Sequence, residues 1–274
     1  MKLFILLVLC FLTNAAPAGA QQGAQQFEKF NLQGYTDAGA KSWDVKGDTA
    51  QVEGDIVQMQ NVEANHYGEQ PVNLTAQTGQ LNKTSGNVHL EKDVVITAKD
   101  SGGTLTTDYL DWDKKNDLVK TDAAVVINDP SQGMTATGTG LKAHPNLQTA
   151  QMNEDVKVTV KNETTQVQTI MITCDGPMEI DQKKSKATFT KNVVAVETDR
   201  TLKADLMEVF FDPVTNKIKE AVCTGNVQIL QGGNVTFSEK AVYNGTDQTL
   251  TLVGRPKLIM ETGGKGIMPS LKEK

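Results

Sequence analysis

The chain has 274 residues and a formal net charge of −6, with 22% charged and only 5% aromatic residues. This length allows one large all-β domain or two ordinary domains. Lysine and arginine are spread along the whole chain, so the sequence lacks the basic patch that would indicate nucleic-acid binding, and any core must be mainly aliphatic.

The N-terminal segment has the pattern of a secretory signal peptide. Lys2 precedes the apolar run 3–12, and the segment ends in the small residues of 18–20. The apolar run is too short to cross a bilayer, which requires about 20 apolar residues. We expect cleavage after Ala20, the alternative being an uncleaved weak anchor.

The rest of the sequence contains an array of similar units. Each unit has a run of alternating apolar and polar residues, a polar turn such as DKKND at 113–117, and a second alternating run. Alternation of this kind predicts half-buried strands, and a repeating unit predicts a stack. The units begin at Leu74, Leu105, Met134, Ile172, Leu202 and Val235.

Stacking allows each unit to bury an apolar face that it cannot bury alone. We expect an all-β trough in which equivalent strands lie about 4.8 Å apart and the two strands of each unit form two facing sheets. A slip of one residue would invert the faces of a strand. The apolar residues predicted to point inward are Val94, Ile96, Leu110, Trp112, Val125, Ile127, Val156, Val158, Ile180, Phe189, Val193, Val209, Phe211, Val227 and Ile229.

Residues that could support catalysis or metal binding do not converge in the sequence. His66, His89 and His144 are isolated, and we expect them on surface strands or loops. There is no nucleophile elbow, glycine-rich phosphate loop or HExxH motif. We therefore expect no catalytic residues, no metal site and no cofactor. Cys174 and Cys223 are predicted to be buried free thiols, although export would permit a disulfide.

Two parts of the chain resemble periplasmic proteins of lipopolysaccharide export. The segment 30–160 resembles LptC, through GYTDAGAKSWDVKGDTAQVEGD and then LTAQTGQLNKTSGNVHLEKDVVI. The segment 172–260 resembles the LptA, or OstA-like, module, through DQKKSKATFTKNVVAVETDRTLKADLMEVFFD and VCTGNVQI. We therefore predict a signal peptide at 1–20, an LptC-like β-jellyroll module at 27–165, an LptA/OstA-like β-jellyroll module at 166–262 and a flexible tail at 263–274.

The resemblance implies a spiral β-jellyroll, a V-shaped trough whose apolar interior shields lipopolysaccharide acyl chains. It also implies that such modules join by edge-strand addition into a bridge from the inner to the outer membrane, with the inner-membrane export ATPase complex as a further partner.

The resemblance leaves two points open. LptC-like proteins usually keep an N-terminal membrane helix, whereas this chain has only a signal-like segment, so we expect a periplasmic protein and leave open its association with the inner membrane. The inward residues would also fit a structural or adhesive β-solenoid with a dry core.

Overall fold

The computed structural model of the protein describes residues 25–68, 71–161, 169–213, 215 and 217–260. The predicted signal peptide and the predicted C-terminal tail at 263–274 lie outside the described residues. Within them, seventeen β-strands and two short 3-10 turns form, which confirms the predicted all-β fold. None of these described segments is a helix with the length and apolar character needed to span a membrane.

All strands belong to one antiparallel sheet. Neighbours in sequence pair with each other from β1 to β9 and again from β12 to β15. β10 and β11 are two parts of one interrupted strand, because each pairs with β9 and with β12. β16 and β17 both pair with β15. The strands are β1 (Gln25–Tyr35), β2 (Lys41–Glu53), β3 (Ile56–His66), β4 (Val72–Asn82), β5 (Val88–Ala98), β6 (Thr104–Asp113), β7 (Leu118–Asp129), β8 (Met134–His144), β9 (Thr149–Lys161), β10 (Thr169–Cys174), β11 (Met178–Asp181), β12 (Lys186–Glu197), β13 (Arg200–Phe211), β14 (Ile218–Gln231), β15 (Asn234–Asn244), β16 (Thr249–Val253) and β17 (Lys257–Ile259).

The sheet turns a corner along a line that crosses the strands near their middles. In β5 the register shifts between Glu91 and Val94, where Lys92 and Asp93 have positive φ angles of 64° and 52°. Such bulges bend a strand and increase its twist. Similar shifts occur in the middle of β7, β12 and β14. The corner divides the sheet into two arms. In β5, Leu90 lies before the bulge in arm A, and Ile96 lies after the bulge in arm B.

The arrangement within a unit differs from the predicted one. Consecutive strands are hydrogen-bonded neighbours, with Val88 of β5 opposite Trp112 of β6, and each of these strands crosses the corner into both arms. The prediction that the two strands of a unit lie in two facing sheets is therefore wrong. The inward residues before and after the corner, Leu90 and Val94, are an even number of positions apart. The alternation of apolar and polar residues therefore continues through the bulge, and the bulge cannot be recognised in the sequence.

Inward side chains from both arms form one hydrophobic core that extends from β2 to β15. All of the inward residues predicted from the sequence are buried except Phe211, which is half-buried and packs against this core. In β7, Val125 is 1% exposed whereas its neighbour Val126 is 42% exposed. Their role in binding a lipid stays a prediction.

A buried carboxylate on the outer face ties the first strands together. Asp44 of β2 is 1% exposed and forms an ion pair with Lys41. It accepts hydrogen bonds from Asn65 Nδ2 at 2.9 Å and Tyr67 Oη at 2.8 Å. Burial raises the pKa of Asp44, but the hydrogen bonds from its three partners together lower the pKa by a larger amount. The pKa therefore falls from 3.8 to about 2.

We predict that Val125→Ala lowers the free energy of unfolding by about 2 kcal/mol, whereas Val126→Ala changes it by less than about 0.5 kcal/mol. Both substitutions remove the same atoms from adjacent residues of β7, so only the face of the strand differs. Denaturant unfolding of the two variants measures the effect. An equal loss in both variants would contradict the inward orientation of Val125.

We predict that the stabilisation from Asp44 is lost in acid. Because the pKa of Asp44 is lowered in the folded state, the ionised carboxylate stabilises the fold above the unfolded pKa by about 2 kcal/mol. This contribution disappears as the pH falls from about 5 towards 2. Asp44→Asn should be less stable near neutral pH and should lose less stability in acid. Urea unfolding of both proteins across this pH range tests the prediction. If the free energies of unfolding of wild type and variant changed in parallel with pH, the prediction would be refuted.

Candidate functional site

The inward side chains form rows that cross from strand to strand. In the row next to the corner of arm A, Met152 of β9 lies opposite Met178 of β11, which lies opposite Phe189 of β12. The row therefore crosses the predicted boundary between the two modules without a polar residue. In sheet order this row, called the corner row below, contains Leu141, Met152, Met178, Phe189, Met207, Cys223 and Ala241.

An apolar cavity of about 60 Å³ lies between the arms at this boundary. One wall comes from arm B of β7 to β10, and the other comes from arm A of β11 to β14. The two walls that face each other therefore come from strands that are several positions apart in the sheet. This is expected when every strand is rotated relative to the one before it. The LptC-like segment supplies most of one wall, and the LptA-like segment supplies the other. The predicted inward residues that line the cavity are Ile127, Val158, Ile180, Phe189, Val209 and Phe211.

Eight further residues line the cavity but were not among the inward residues predicted from the sequence: Met134, Ala136, Val160, Ile170, Ile172, Met178, Ala187 and Ile218. All of them except Ala136 and Ile172 lie in the first two or last two positions of their strands, where few alternating residues are available on one side. The hydrogen-bond register supplies the missing signal, because Met134 lies opposite Val160, and Val160 lies opposite Ile170.

Every side chain that lines the cavity is apolar. Such a lining gives a water molecule no hydrogen-bond partner among these side chains. The arrangement can therefore accept hydrocarbon but offers nothing to a charged or strongly polar ligand.

Among the described residues, one histidine of the outer face and two buried cysteines bear on chemical reactivity. His89 is a surface strand residue, as expected, but it is not isolated, since Nδ1 lies 2.6 Å from Asp111 Oδ1 and Nε2 lies 2.9 Å from Glu91 Oε1. The contact with Glu91 raises the pKa of His89, burial partly offsets this, and Asp111 adds to the rise. Cys174 and Cys223 are buried and free. Burial raises the pKa of the Cys223 thiol to about 12, which disfavours the reactive thiolate. Across the described residues, no cluster of His, Cys, Asp and Glu could hold a metal ion.

Both ends of the sheet carry strands that pair on one side only within the described part of the chain. β1 pairs with β2, and β17 pairs with β15. Phe27, Leu32 and Tyr35 of β1 are 49%, 49% and 61% exposed, and Leu258 and Ile259 of β17 are 54% and 49% exposed. Exposed edges with apolar side chains are templates for the addition of another strand.

We predict that valine at position 136 stabilises the protein, whereas valine at position 143 destabilises it. Ala136 and Ala143 both lie in β8 and are 2% and 0% exposed, but only Ala136 lines the cavity. Ala136→Val should fill the void and raise the free energy of unfolding by about 0.5 to 1 kcal/mol. Ala143→Val should overpack and lower it by about 1 to 3 kcal/mol. Unfolding of both variants by denaturant measures the signs, and the same sign for both would argue against the cavity.

Comparisons with known proteins show which families the chain is similar to. A family profile described as "Lipopolysaccharide-assembly, LptC-related" matches residues 20–162, and one described as "LptA/(LptD N-terminal domain) LPS transport protein" matches residues 176–267. No curated protein sequence matches the chain. A solved structure of LptH, the LptA homologous periplasmic component of the lipopolysaccharide transport device from Pseudomonas aeruginosa, is 13% identical, with 71% of this chain and 97% of that chain covered and a TM-score of 0.20. The chain belongs to the lipopolysaccharide-assembly, LptC-related family, and its LptC-like part is fused to an LptA-like part.

Proposed function

We propose that the protein is a periplasmic component of lipopolysaccharide transport, which holds acyl chains between its two arms and forms part of a bridge from the inner to the outer membrane. Membership of the LptC-related family, together with the fused LptA-like part, supports the transport role. The acyl-chain role depends on one observation, the apolar cavity to which the LptC-like and LptA-like parts both contribute a wall. The protein acts by binding and passing on a lipid and catalyses no reaction.

The hydrophobic effect explains why such a lipid needs a covered path. Each methylene of an acyl chain that leaves water gains about 0.8 kcal/mol, so a lipid with several chains does not cross an aqueous compartment unaided. The core that extends from β2 to β15 offers a lining of similar aliphatic character in successive strands. A chain that slides along this lining exchanges one set of contacts for an equivalent set and meets no deep energy minimum.

The cavity is smaller than an acyl chain, so side chains or arms must move apart to admit one. Met134 and Met178 line the cavity, and Met152 lies opposite Met178 in the corner row. Methionine side chains are unbranched and repack easily around irregular shapes. Gly138 provides the room for this row, because a Cβ at position 138 would clash with the Met152 sulfur. These methionines make the junction between the modules suited to repacking around an acyl chain.

Strand addition at the open edges would join this protein to further β-jellyroll modules. The same contact already joins the two parts of this chain, since β10 pairs with β9 and Ile172 lies opposite Val158. We propose that a second module pairs with β1 or β17 in the same way, and that the inner-membrane export ATPase complex is a further partner. A cleavable signal peptide at residues 1–20 would deliver the chain to the periplasm.

We predict that a photoreactive residue at position 158 captures lipopolysaccharide in cells, whereas the same residue at position 157 does not. Val158 is 6% exposed and lines the cavity, while Lys157 precedes it in β9 and is exposed. Immunoblotting for a lipopolysaccharide adduct after irradiation measures the difference.

Two outcomes would refute the acyl-chain role. Adducts only at position 157 would indicate that lipopolysaccharide touches the outer face. The absence of adducts at both positions, together with an intact envelope after depletion of the protein, would favour the structural or adhesive β-solenoid with a dry core.

A further inference from the structure

Trp112 brings a polar atom into the aliphatic interior of the LptC-like part. Its side chain belongs to the core and is 7% exposed. The indole Nε1 is buried and has no hydrogen-bond partner among the described residues. Buried indole N–H groups usually have a partner, because an unmade hydrogen bond in the interior carries a desolvation cost. The unpaired donor is therefore a position for an acceptor that the described residues do not supply.

The surroundings of Trp112 define what kind of acceptor fits. On the neighbouring strands, Val88 of β5 and Val119 of β7 lie directly opposite Trp112, and both are buried. A carboxylate or phosphate in such a place would lose its hydration, which is strongly unfavourable for an ionised group in an apolar interior. A neutral carbonyl oxygen loses much less, and an alkyl chain attached to it would continue along the apolar lining.

A second polar spot lies on the same pair of strands. Thr107 Oγ1 of β6 is 3.4 Å from Thr121 Oγ1 of β7, and the two residues are 7% and 1% exposed. In the next strand, the residue opposite Thr121 is Leu141, so the polar character does not continue into β8. β6 and β7 thus combine hydroxyl groups near the corner with an N–H group farther out in arm A.

We propose that Trp112 donates its indole N–H to the carbonyl oxygen of the ester or amide that links an acyl chain to its headgroup. This inference depends on the proposed function, since the interior must open to admit the chain. It adds that the LptC-like part distinguishes an acyl-linked lipid from a plain alkyl chain and fixes how far the chain enters.

The test compares an ester-linked lipid with its ether counterpart. Lysophosphatidylcholine with a palmitoyl chain carries the carbonyl, whereas the ether analogue with a hexadecyl chain lacks it. Binding of both lipids to the full chain is measured below their critical micelle concentrations. Wild type should prefer the ester, and Trp112→Phe should bind the ester about 3- to 10-fold more weakly, as expected for one net hydrogen bond, while its affinity for the ether equals that of wild type.

Trp43→Phe is the matched control. Trp43 is the other buried tryptophan of the core and is 8% exposed, so the same substitution there should leave the preference for the ester unchanged. Thermal unfolding without lipid checks that both variants fold.

The outcomes separate this inference from the proposed function. Two outcomes overturn the role of the indole N–H but leave the lipid-binding interior intact. One is that wild type binds ester and ether with equal affinity, and the other is that Trp112→Phe loses affinity equally for both lipids. Failure of wild type to bind either lipid overturns the acyl-chain role and this inference with it.

Discussion

The bulge at the corner is the constraint on which the rest of the structure depends. A strand such as β12 would otherwise be flat, and the sheet would expose one whole apolar face to water. Because inward residues before and after the corner are an even number of positions apart, as Phe189 and Val193 are in β12, both arms present apolar side chains to one shared interior. The backbone cost of the bend falls on left-handed residues such as Asn192 and Asn226, with φ angles of 53° and 48°. Asparagine tolerates this conformation better than most residues, because its short side chain can hydrogen-bond locally.

Twist connects this local bend to the junction between the two parts of the chain. Since successive strands rotate relative to one another, arm B of one group of strands faces arm A of a later group. The wall formed by β7 to β10 therefore faces the wall formed by β11 to β14. Neither the LptC-like nor the LptA-like part encloses this cavity alone. In this chain the stack that continues from one part into the next thus creates the shared cavity without a dedicated interface.

The sequence predicted faces and fold class well because both depend on alternation alone. Val125 and Val126 have the same side chain, and their positions in the pattern were enough to separate the buried residue from the exposed one. The pairing of strands in the sheet could not be predicted from the sequence in the same way. Alternation describes the two faces of a strand but contains no information about which strand lies beside it, so the two strands of a unit were assigned to facing sheets. The unpaired N–H of Trp112 was also hidden, because the pattern treats tryptophan as another apolar residue and does not record whether its nitrogen has a partner.

A closed interior and a carrier function are compatible if opening the arms costs less than the lipid gains. When an acyl chain enters, contacts between the arms are replaced by contacts between each arm and the chain, so the apolar lining stays out of water. The net gain is then mainly the transfer of the chain itself from water, about 0.8 kcal/mol for each methylene, and the protein loses only the close packing between its own side chains. That loss is smallest where packing is already incomplete and the side chains are flexible. The cavity flanked by Met134 and Met178 meets both conditions, whereas Val94 and Val193, both 0% exposed, meet neither. Opening should therefore begin at the junction and spread along the corner row towards the ends of the sheet.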